Sequence, residues 1–221
     1  GADRFGEEAV ERVVREGVDA GLIQVDADRP TGFVRVRLDD RGGPSFEIVE
    51  DVAWDAIEAT GAALERAARA DAIVFGTLAQ RAPVSRATIE RLWAATDAHK
   101  VYDVNLRPPH GDRETVRRSL EAADLVKLNE AELDRLGEWF RLEGDDRQRA
   151  GALAGSFGCD VVCVTRGERG AALWHQGRWS EHPGVRVRVR DTVGAGDAFL
   201  AALLAGLQRG EDDEELLRHA A

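Results

Sequence analysis

The segment Gly194-Ala195-Gly196-Asp197 leads from an alternating run of valine and arginine into a run of small and apolar residues. The first amides of a helix have no intrahelical acceptor and carry partial positive charge. Small residues let an anion approach these amides closely, as phosphate groups do at helix amino ends. Asp197 would then take a hydroxyl proton while the amides bear the charge of a transferred phosphoryl group. The structural alternative is a tight glycine turn followed by a favourable acid.

The residues after this segment favour the chemical interpretation. Ala198 to Leu207 is too apolar for a helix on the surface, so we expect a buried helix. A buried amino end aimed at the crevice beyond the sheet is costly unless a ligand binds there. A general base next to an anion-binding turn is the arrangement that in-line phosphoryl transfer requires.

The stretch "KLNEAEL", residues 127–133, follows a predicted strand. Asn129 is a good helix cap, and Glu132 three residues later completes a capping box. Alternatively, this amide and carboxylate organise Mg²⁺ and its waters near nucleotide phosphates. The two interpretations are compatible.

Polar residues also leave a strand in "DVNLRPP", residues 103–109. Asp103, Asn105 and Arg107 would lie at a strand end, where Arg107 suits pairing with phosphate or substrate oxygens. A solvated surface cation is the simpler alternative for Arg107.

The stretch "VTRGERGAALW", residues 164–174, contains Thr165, Gly167 and Gly170. Its glycines fit a turn into a hairpin, where positive φ is needed. It is not a dinucleotide fingerprint, because no helix follows and the G-x-G is missing. The sequence contains no P-loop, and its histidines have no metal-binding spacing.

Short apolar runs at 71–76, 100–105, 123–128 and 159–165 predict the strands that position these residues. Amphipathic stretches around 85–98, 130–139 and 146–156 predict the helices between them, and another helix is expected over 7–20. This alternation predicts a mostly parallel sheet covered on both faces. Ligands of such sheets bind beyond the carboxyl ends of the strands.

Two further stretches alternate differently. Residues 31–50 predict two strands around a turn at 39–44, with Phe33 and its apolar neighbours interleaved with arginines. We expect a projecting lid with one wet face, which a second subunit could cover to form a homodimer. Residues 170–180 predict a hairpin, and "VRVRVR", residues 185–190, predicts a strand.

Composition limits the class of protein. A net charge of −11 over 221 residues argues against nucleic acid or an anionic membrane as the main partner. No apolar run reaches transmembrane length, and the first residues lack the order of a signal peptide. Cys159 and Cys163 have no metal-like spacing, so reduced thiols in a cytoplasmic protein are expected.

Taken together, these segments resemble the ribokinase-like sugar kinases, the phosphofructokinase-B carbohydrate kinase family. The resemblance rests on the glycine-rich segment from Asp191 to Asp197, on 129–132, on 165–170 and on the Thr31-Gly32 hairpin. It implies a three-layer α/β/α sandwich with a small β-lid, here one partial kinase domain over 1–221 with the lid at 31–50. It also implies ATP-dependent phosphorylation of a sugar hydroxyl.

The resemblance assigns roles to individual residues. By this resemblance, Asp197 matches the catalytic base of the family. The anion hole of the family is matched by the amides of Gly194, Ala195, Gly196 and Asp197. Asn129 and Glu132 resemble the pair that organises Mg²⁺ through water. Further roles are implied for a nucleotide loop (Thr165, Gly167, Gly170), a monovalent-cation loop that could take K⁺ (Asp191, the Val193 carbonyl) and substrate contacts (Arg107, Asn105, Phe33).

Within the family, residues 2–38 and 47–57 are most similar to bacterial fructokinases, which implies fructose as the acceptor. A 2-keto-3-deoxygluconate kinase or another sugar or nucleoside kinase is the alternative, and a non-catalytic nucleotide-binding remnant is another. Family members carry segments before and after the stretch seen here, so we expect amino- and carboxyl-terminal parts of the fold to be missing. Arg166 also replaces a residue that is often small or apolar in the family.

Overall fold

The computed structural model describes residues 1–38, 44–188 and 192–221. Backbone contacts divide the chain into two compact units. The first consists of Gly1–Ala70 and Ala79–Ala98, and the second of Asp71–Leu78 and His99–Ala221. The single kinase domain expected over 1–221 stays a prediction.

The first unit contains helices and a separate two-stranded sheet. Its elements are α1 (Arg4–Arg15), β1 (Val34–Leu38), β2 (Pro44–Ile48), α2 (Gly61–Ala67) and α3 (Pro83–Ala94). Strands β1 and β2 pair antiparallel, so the hairpin expected at 31–50 is present, and it does not join the larger sheet. Helix α1 ends earlier than the predicted residue 20, because Gly17 adopts a positive φ of 78° just beyond it.

Hydrogen bonds and one buried ion pair hold this unit together. Asp55 pairs with Arg81 at 2.7 Å, and the Arg81 guanidinium lies 4.2 Å from the centre of the Trp54 ring. Ser85 and Thr88 of α3 donate to the carbonyls of Trp54 and Ile57. These contacts fix the first turns of α3 against the 54–57 segment.

The second unit is built on a six-stranded sheet with the strand order β3-β4-β5-β6-β7-β8. The strands are β3 (Ala72–Gly76), β4 (His99–Asp103), β5 (Leu125–Asn129), β6 (Val161–Thr165), β7 (Ala171–His175) and β8 (Arg178–His182). Strands β3 to β6 are parallel, and β7 and β8 continue the sheet antiparallel. The predicted mostly parallel sheet is therefore confirmed.

Helices cover both faces of this sheet. They are α4 (Arg113–Ala122), α5 (Glu130–Phe140), α6 (Asp146–Phe157), α7 (Ala195–Arg209) and α8 (Asp213–Ala220). On one face, buried leucines of α7 and α8 pack with Val101, Leu125 and Leu173 of the strands. Tyr102 points to the other face because side chains alternate along a strand, and there it hydrogen-bonds Ser119 of α4. The expected three layers are thus present.

Two sequence predictions need correction. Residues 185–188 form no strand, and Val185 and Val187 are exposed; the remaining residues of that prediction, 189 and 190, lie outside the described residues. Alternation of valine with arginine predicts a strand, but a strand also needs a hydrogen-bonding neighbour. Helix α7 is buried on one face only, through Leu200, Leu203 and Gly206. On the opposite face, Ala198 and Ala201 are exposed.

Both cysteines are free and buried. Burial raises the pKa of each thiol to about 12, which disfavours the reactive thiolate form. None of the helices in the described ranges is long and apolar enough to cross a membrane.

Candidate active site

The carboxyl ends of β4, β5 and β6 bring together most of the residues singled out in the sequence. Parallel pairing places Asp103 opposite Lys127, and Asn129 opposite Thr165. The amino end of α7 lies at the same edge, because a side chain on Gly196 would come within 2.9 Å of the Lys127 Nζ atom. The edge of the sheet therefore combines a helix amino end with charged side chains.

Helix α7 starts at the glycine turn that the sequence analysis singled out. Gly194 caps the helix in the left-handed region (φ 77°), which glycine adopts without strain, and no side chain of the described residues caps the amides. Ala195 N donates to Thr192 O, and Ala198 N donates to Gly194 O. The amides of Gly196 and Asp197, in the first turn, are of the kind that lack intrahelical acceptors.

Asp197 lies in this first turn and is exposed. It is close enough to Asp103 that its charge contributes to raising the Asp103 pKa. Val193, just before the turn, is 89% exposed. Asp191, the other residue of the expected monovalent-cation loop, lies outside the described residues.

Beside this turn, Asp103 and Lys127 form a buried ion pair. Lys127 Nζ lies 3.1 Å and 3.0 Å from the two carboxylate oxygens of Asp103. Burial raises the pKa of Asp103, while the Lys127 charge opposes that rise. The pair was missed in the sequence analysis, although a lysine inside the apolar run "ADLVKL" was a usable signal.

The expected capping box is present at the start of α5. Asn129 Oδ1 accepts from Glu132 N, and Glu132 Oε2 accepts from Asn129 N, both at 2.9 Å. Glu132 Oε1 also accepts from Leu106 N at 2.7 Å. Burial raises the pKa of Glu132, and the two amide hydrogen bonds oppose that rise.

The connection after β4 is shaped by Asn105, whose φ is 38°. Asparagine is among the few residues that tolerate this region. The chain turns here, Leu106 N reaches Glu132, and the exposed Arg107 follows. The Arg107 charge lowers the Asp103 pKa, so this cation belongs to the same electrostatic cluster.

The connection after β6 is a short turn rather than a helix start, as expected. Thr165 Oγ1 donates to Leu128 O at 3.4 Å, which links the ends of β5 and β6. Gly167 begins a 3₁₀ turn, and Gly170 has a φ of 80°. Both glycines of the proposed nucleotide loop therefore occupy positions that favour glycine.

Arg166, which departs from the family pattern, is engaged by the protein itself. Its guanidinium pairs with Glu181 at 2.7 Å and with Asp146 at 3.0 Å, and it lies 5.5 Å from the centre of the Trp179 ring. The residue thus ties the turn after β6 to β8 and α6.

Phe33 belongs to the first unit, whereas the other described candidates belong to the second. Its side chain is 46% exposed, and the Arg35 guanidinium lies 5.8 Å from the ring centre. Its assignment to the substrate rests on the sequence alone.

These residues can bind an anion and handle a proton at the same edge of the sheet. Amides of a helix amino end, a buried ammonium and an arginine supply positive charge, and Asp197 supplies an exposed carboxylate. Glu132 keeps free lone pairs on oxygens that already accept amide hydrogen bonds, which fits a carboxylate holding a metal-bound water. In the described ranges no group of three or more acidic, histidine or cysteine residues could bind a metal by itself. Mg²⁺ commonly keeps several waters and takes its remaining ligands from phosphates.

The chain belongs to the pfkB family of carbohydrate kinases, whose model matches residues 1–221. It is 30% identical over 215 residues to the uncharacterized sugar kinase PH1459 of Pyrococcus horikoshii, covering 94% of this chain and 65% of that protein. It is also 30% identical over 233 residues to a fructokinase of Escherichia coli, covering 99% and 73%.

Solved structures share the fold. The crystal structure of PH1459 superposes with a TM-score of 0.79 at 28% identity, covering all of this chain and 71% of that one. Fructokinase from Xylella fastidiosa, crystallised with bound ATP, gives a TM-score of 0.80 at 24% identity, covering 100% and 70%. The ribokinase-like fold predicted from the sequence is therefore confirmed. The chain spans roughly two thirds of these relatives.

Proposed function

We propose that the protein transfers the γ-phosphoryl group of ATP to a hydroxyl of a sugar, with fructose as the preferred acceptor. The observation that carries the proposal is the position of Asp197, in the first turn of α7 at the charged edge of the sheet, beside amides that no described side chain caps. Membership of a carbohydrate kinase family and similarity to a named fructokinase support it.

In this proposal the chain supplies a base and a positively charged cradle. The Asp197 carboxylate takes the proton of the attacking sugar hydroxyl. The amides of the α7 turn stabilise the negative charge of the group in transfer. Arg107 and Asn105 orient substrate oxygens, and Thr165, Gly167 and Gly170 border the nucleotide.

Two ions complete the proposal. Mg²⁺ would be held through water by Glu132, with Asn129 beside it, and would supply charge neutralisation at the nucleotide phosphates. K⁺ would bind at Asp191 and the Val193 carbonyl.

The proposal is tested with Asp197→Asn, which keeps the shape of the side chain and removes its basicity. We expect kcat to fall by about 10²- to 10⁴-fold, the usual contribution of a general base, while calorimetry still detects ATP binding. Glu214→Gln removes an exposed acid from the first turn of α8 and serves as the matched control. Wild-type turnover by the Asp197 variant would contradict the assigned role.

The acceptor is identified by sugar-dependent release of ADP from the intact protein. Fructose, 2-keto-3-deoxygluconate, ribose and a nucleoside form the panel, and the largest kcat/KM is expected for fructose. A larger value for another acceptor would replace fructose within the same reaction. Nucleotide binding without any acceptor-dependent release would identify a non-catalytic remnant.

We also propose that two copies associate through the β1–β2 hairpin. Val34 and Val36 are 52% and 55% exposed, and Arg35, on the face opposite these valines, and Phe33 are exposed as well. The expected single wet face is thus not seen among the described side chains. A second copy that covers these valines would remove apolar surface from water.

A further inference from the structure

Lys127, in strand β5, is an unusual residue to find beside the amino end of helix α7. The helix dipole places partial positive charge there, so acids are favoured and cations are disfavoured. Yet the Lys127 ammonium lies against the first turn of α7, and its side chain is only 9% exposed. A buried cation in this position needs a physical reason.

Asp103 explains how Lys127 tolerates burial. The ammonium contacts both carboxylate oxygens, and the two residues are register partners on adjacent parallel strands. The pair does not explain why the charge is kept, because well-packed apolar residues in place of a buried ion pair are often equally stable or more so. The next register partner along the sheet is Cys163, which is apolar in character.

Gly196 shows how closely the ammonium approaches the helix. A Cβ atom on Gly196 would lie 2.9 Å from Lys127 Nζ, closer than real contacts allow. The glycine at this position therefore lets the charge lie against the backbone.

Among the 30 lysine and arginine residues of the chain, only Lys100 and Lys127 are lysines. A compact ammonium fits such a space, whereas a planar guanidinium is larger.

We infer that Lys127 binds the transferred phosphoryl group: Asp103 holds its ammonium beside Gly196, so that a charged hydrogen-bond donor lies next to the amides of the α7 turn. This inference rests on the proposed function. Asp103 keeps the charge in place and balanced before an anion arrives. A γ-phosphate at the turn then meets the amides and the ammonium together.

Calorimetry without a sugar tests the inference independently of turnover. Lys127→Met should weaken ATP binding by about tenfold or more, the scale of one interaction with a charged partner. ADP lacks the γ-phosphate, so its affinity should change by less than about threefold, which is within about 0.7 kcal/mol. Lys100→Met makes the same change near the amino end of β4, away from the carboxyl ends of the strands, and should alter neither affinity.

Asp103→Asn and the double variant D103N/K127M separate the charge from the fold. Asp103→Asn keeps one acceptor oxygen for the ammonium and removes the balancing negative charge, so ATP affinity should not fall. The double variant removes both buried charges, so its Tm should exceed that of Lys127→Met. Its ATP affinity should nevertheless stay as low as that of Lys127→Met. Recovery of ATP affinity together with Tm would mean that the pair is only structural, and would overturn the inference.

Gly196→Ala tests the contact itself. In the wild-type background the added methyl group must displace the ammonium, and ATP affinity should fall. In the Lys127→Met background the same change should cost much less, because contacting residues are energetically coupled. Equal losses in both backgrounds would contradict the proposed contact.

The outcomes distinguish this inference from the proposed function. One outcome would refute the kinase proposal alone. In it, the wild-type protein binds ATP more tightly than ADP, Lys127→Met loses this difference, and no acceptor-dependent release of ADP is detected. Wild-type protein that binds ATP and ADP with equal affinity would overturn the role of Lys127.

Discussion

Glu132 accepts hydrogen bonds from two backbone amides in different connections of the fold. Asn129 N belongs to the start of α5, and Leu106 N belongs to the turn after β4. A single carboxylate therefore fixes the two turns that carry Asn105, Arg107 and Asn129. Burial raises the pKa of Glu132, so the folded protein favours the protonated carboxyl more than the unfolded chain does.

This shift predicts the direction of a pH effect on stability. The unfolded chain loses the Glu132 proton near the ordinary pKa of 4.5, whereas the folded protein retains it to higher pH. The contribution of Glu132 to the free energy of unfolding should therefore decline as pH rises from about 4.5 through the raised pKa. Urea denaturation over this range, compared with Glu132→Gln, measures it as the difference between the two curves.

The same series carries its own control. Glu132→Gln has one acceptor oxygen for two amides, so it should be less stable by about 1–3 kcal/mol where the difference is largest, below pH 4.5. Glu138→Gln on the exposed side of α5 should follow the wild-type curve. A difference that grows with pH would show that the Glu132 pKa is lowered by folding.

Among the elements, the β7–β8 hairpin depends on a close approach of backbones at its start. Gly170 has a φ of 80°, and a Cβ atom there would lie 2.0 Å from His182 O. Gly177, in the turn between the strands, has a φ of 84° but open space around it. The two glycines thus share a backbone conformation and differ in contacts.

Gly170→Ala should consequently destabilise the protein by more than about 2 kcal/mol, because strain in φ adds to a clash with backbone atoms. Gly177→Ala should cost about 1 kcal/mol from φ alone. Chemical denaturation of both variants gives the comparison. Equal losses would indicate that the chain at 182–184 moves aside at little cost.

For the whole molecule, the proposed association through the hairpin predicts a change in assembly state. Sedimentation velocity at micromolar concentration should detect a dimer of the wild-type chain. Val34→Asp combined with Val36→Asp should give a monomer, because the carboxylates would have to be buried. Val185→Asp with Val187→Asp alters two other exposed valines and should leave the dimer intact. A wild-type monomer would refute the proposal.

Much of the second unit follows from local patterns in the sequence. Strands β3 to β6 and helices α5 and α6 lie close to their predicted bounds, because short apolar runs and caps act over a few residues. The capping box of Asn129 and Glu132 was predictable for the same reason. The strand predicted from the alternation at 185–188 was wrong, because a strand depends on a hydrogen-bonding neighbour that no local pattern reveals.

By itself, the sequence determined strands β3 to β6, helices α5 and α6, the family, and the residues at the carboxyl ends of the parallel strands. Only the tertiary structure decided that Lys127 pairs with Asp103 beneath Gly196, and that Glu132 reaches Leu106. These contacts join residues far apart in the chain, through strand register and through the packing of α7 on the sheet. Both depend on the sum of many burial and hydrogen-bonding energies over the whole unit, so no short stretch of sequence specifies them.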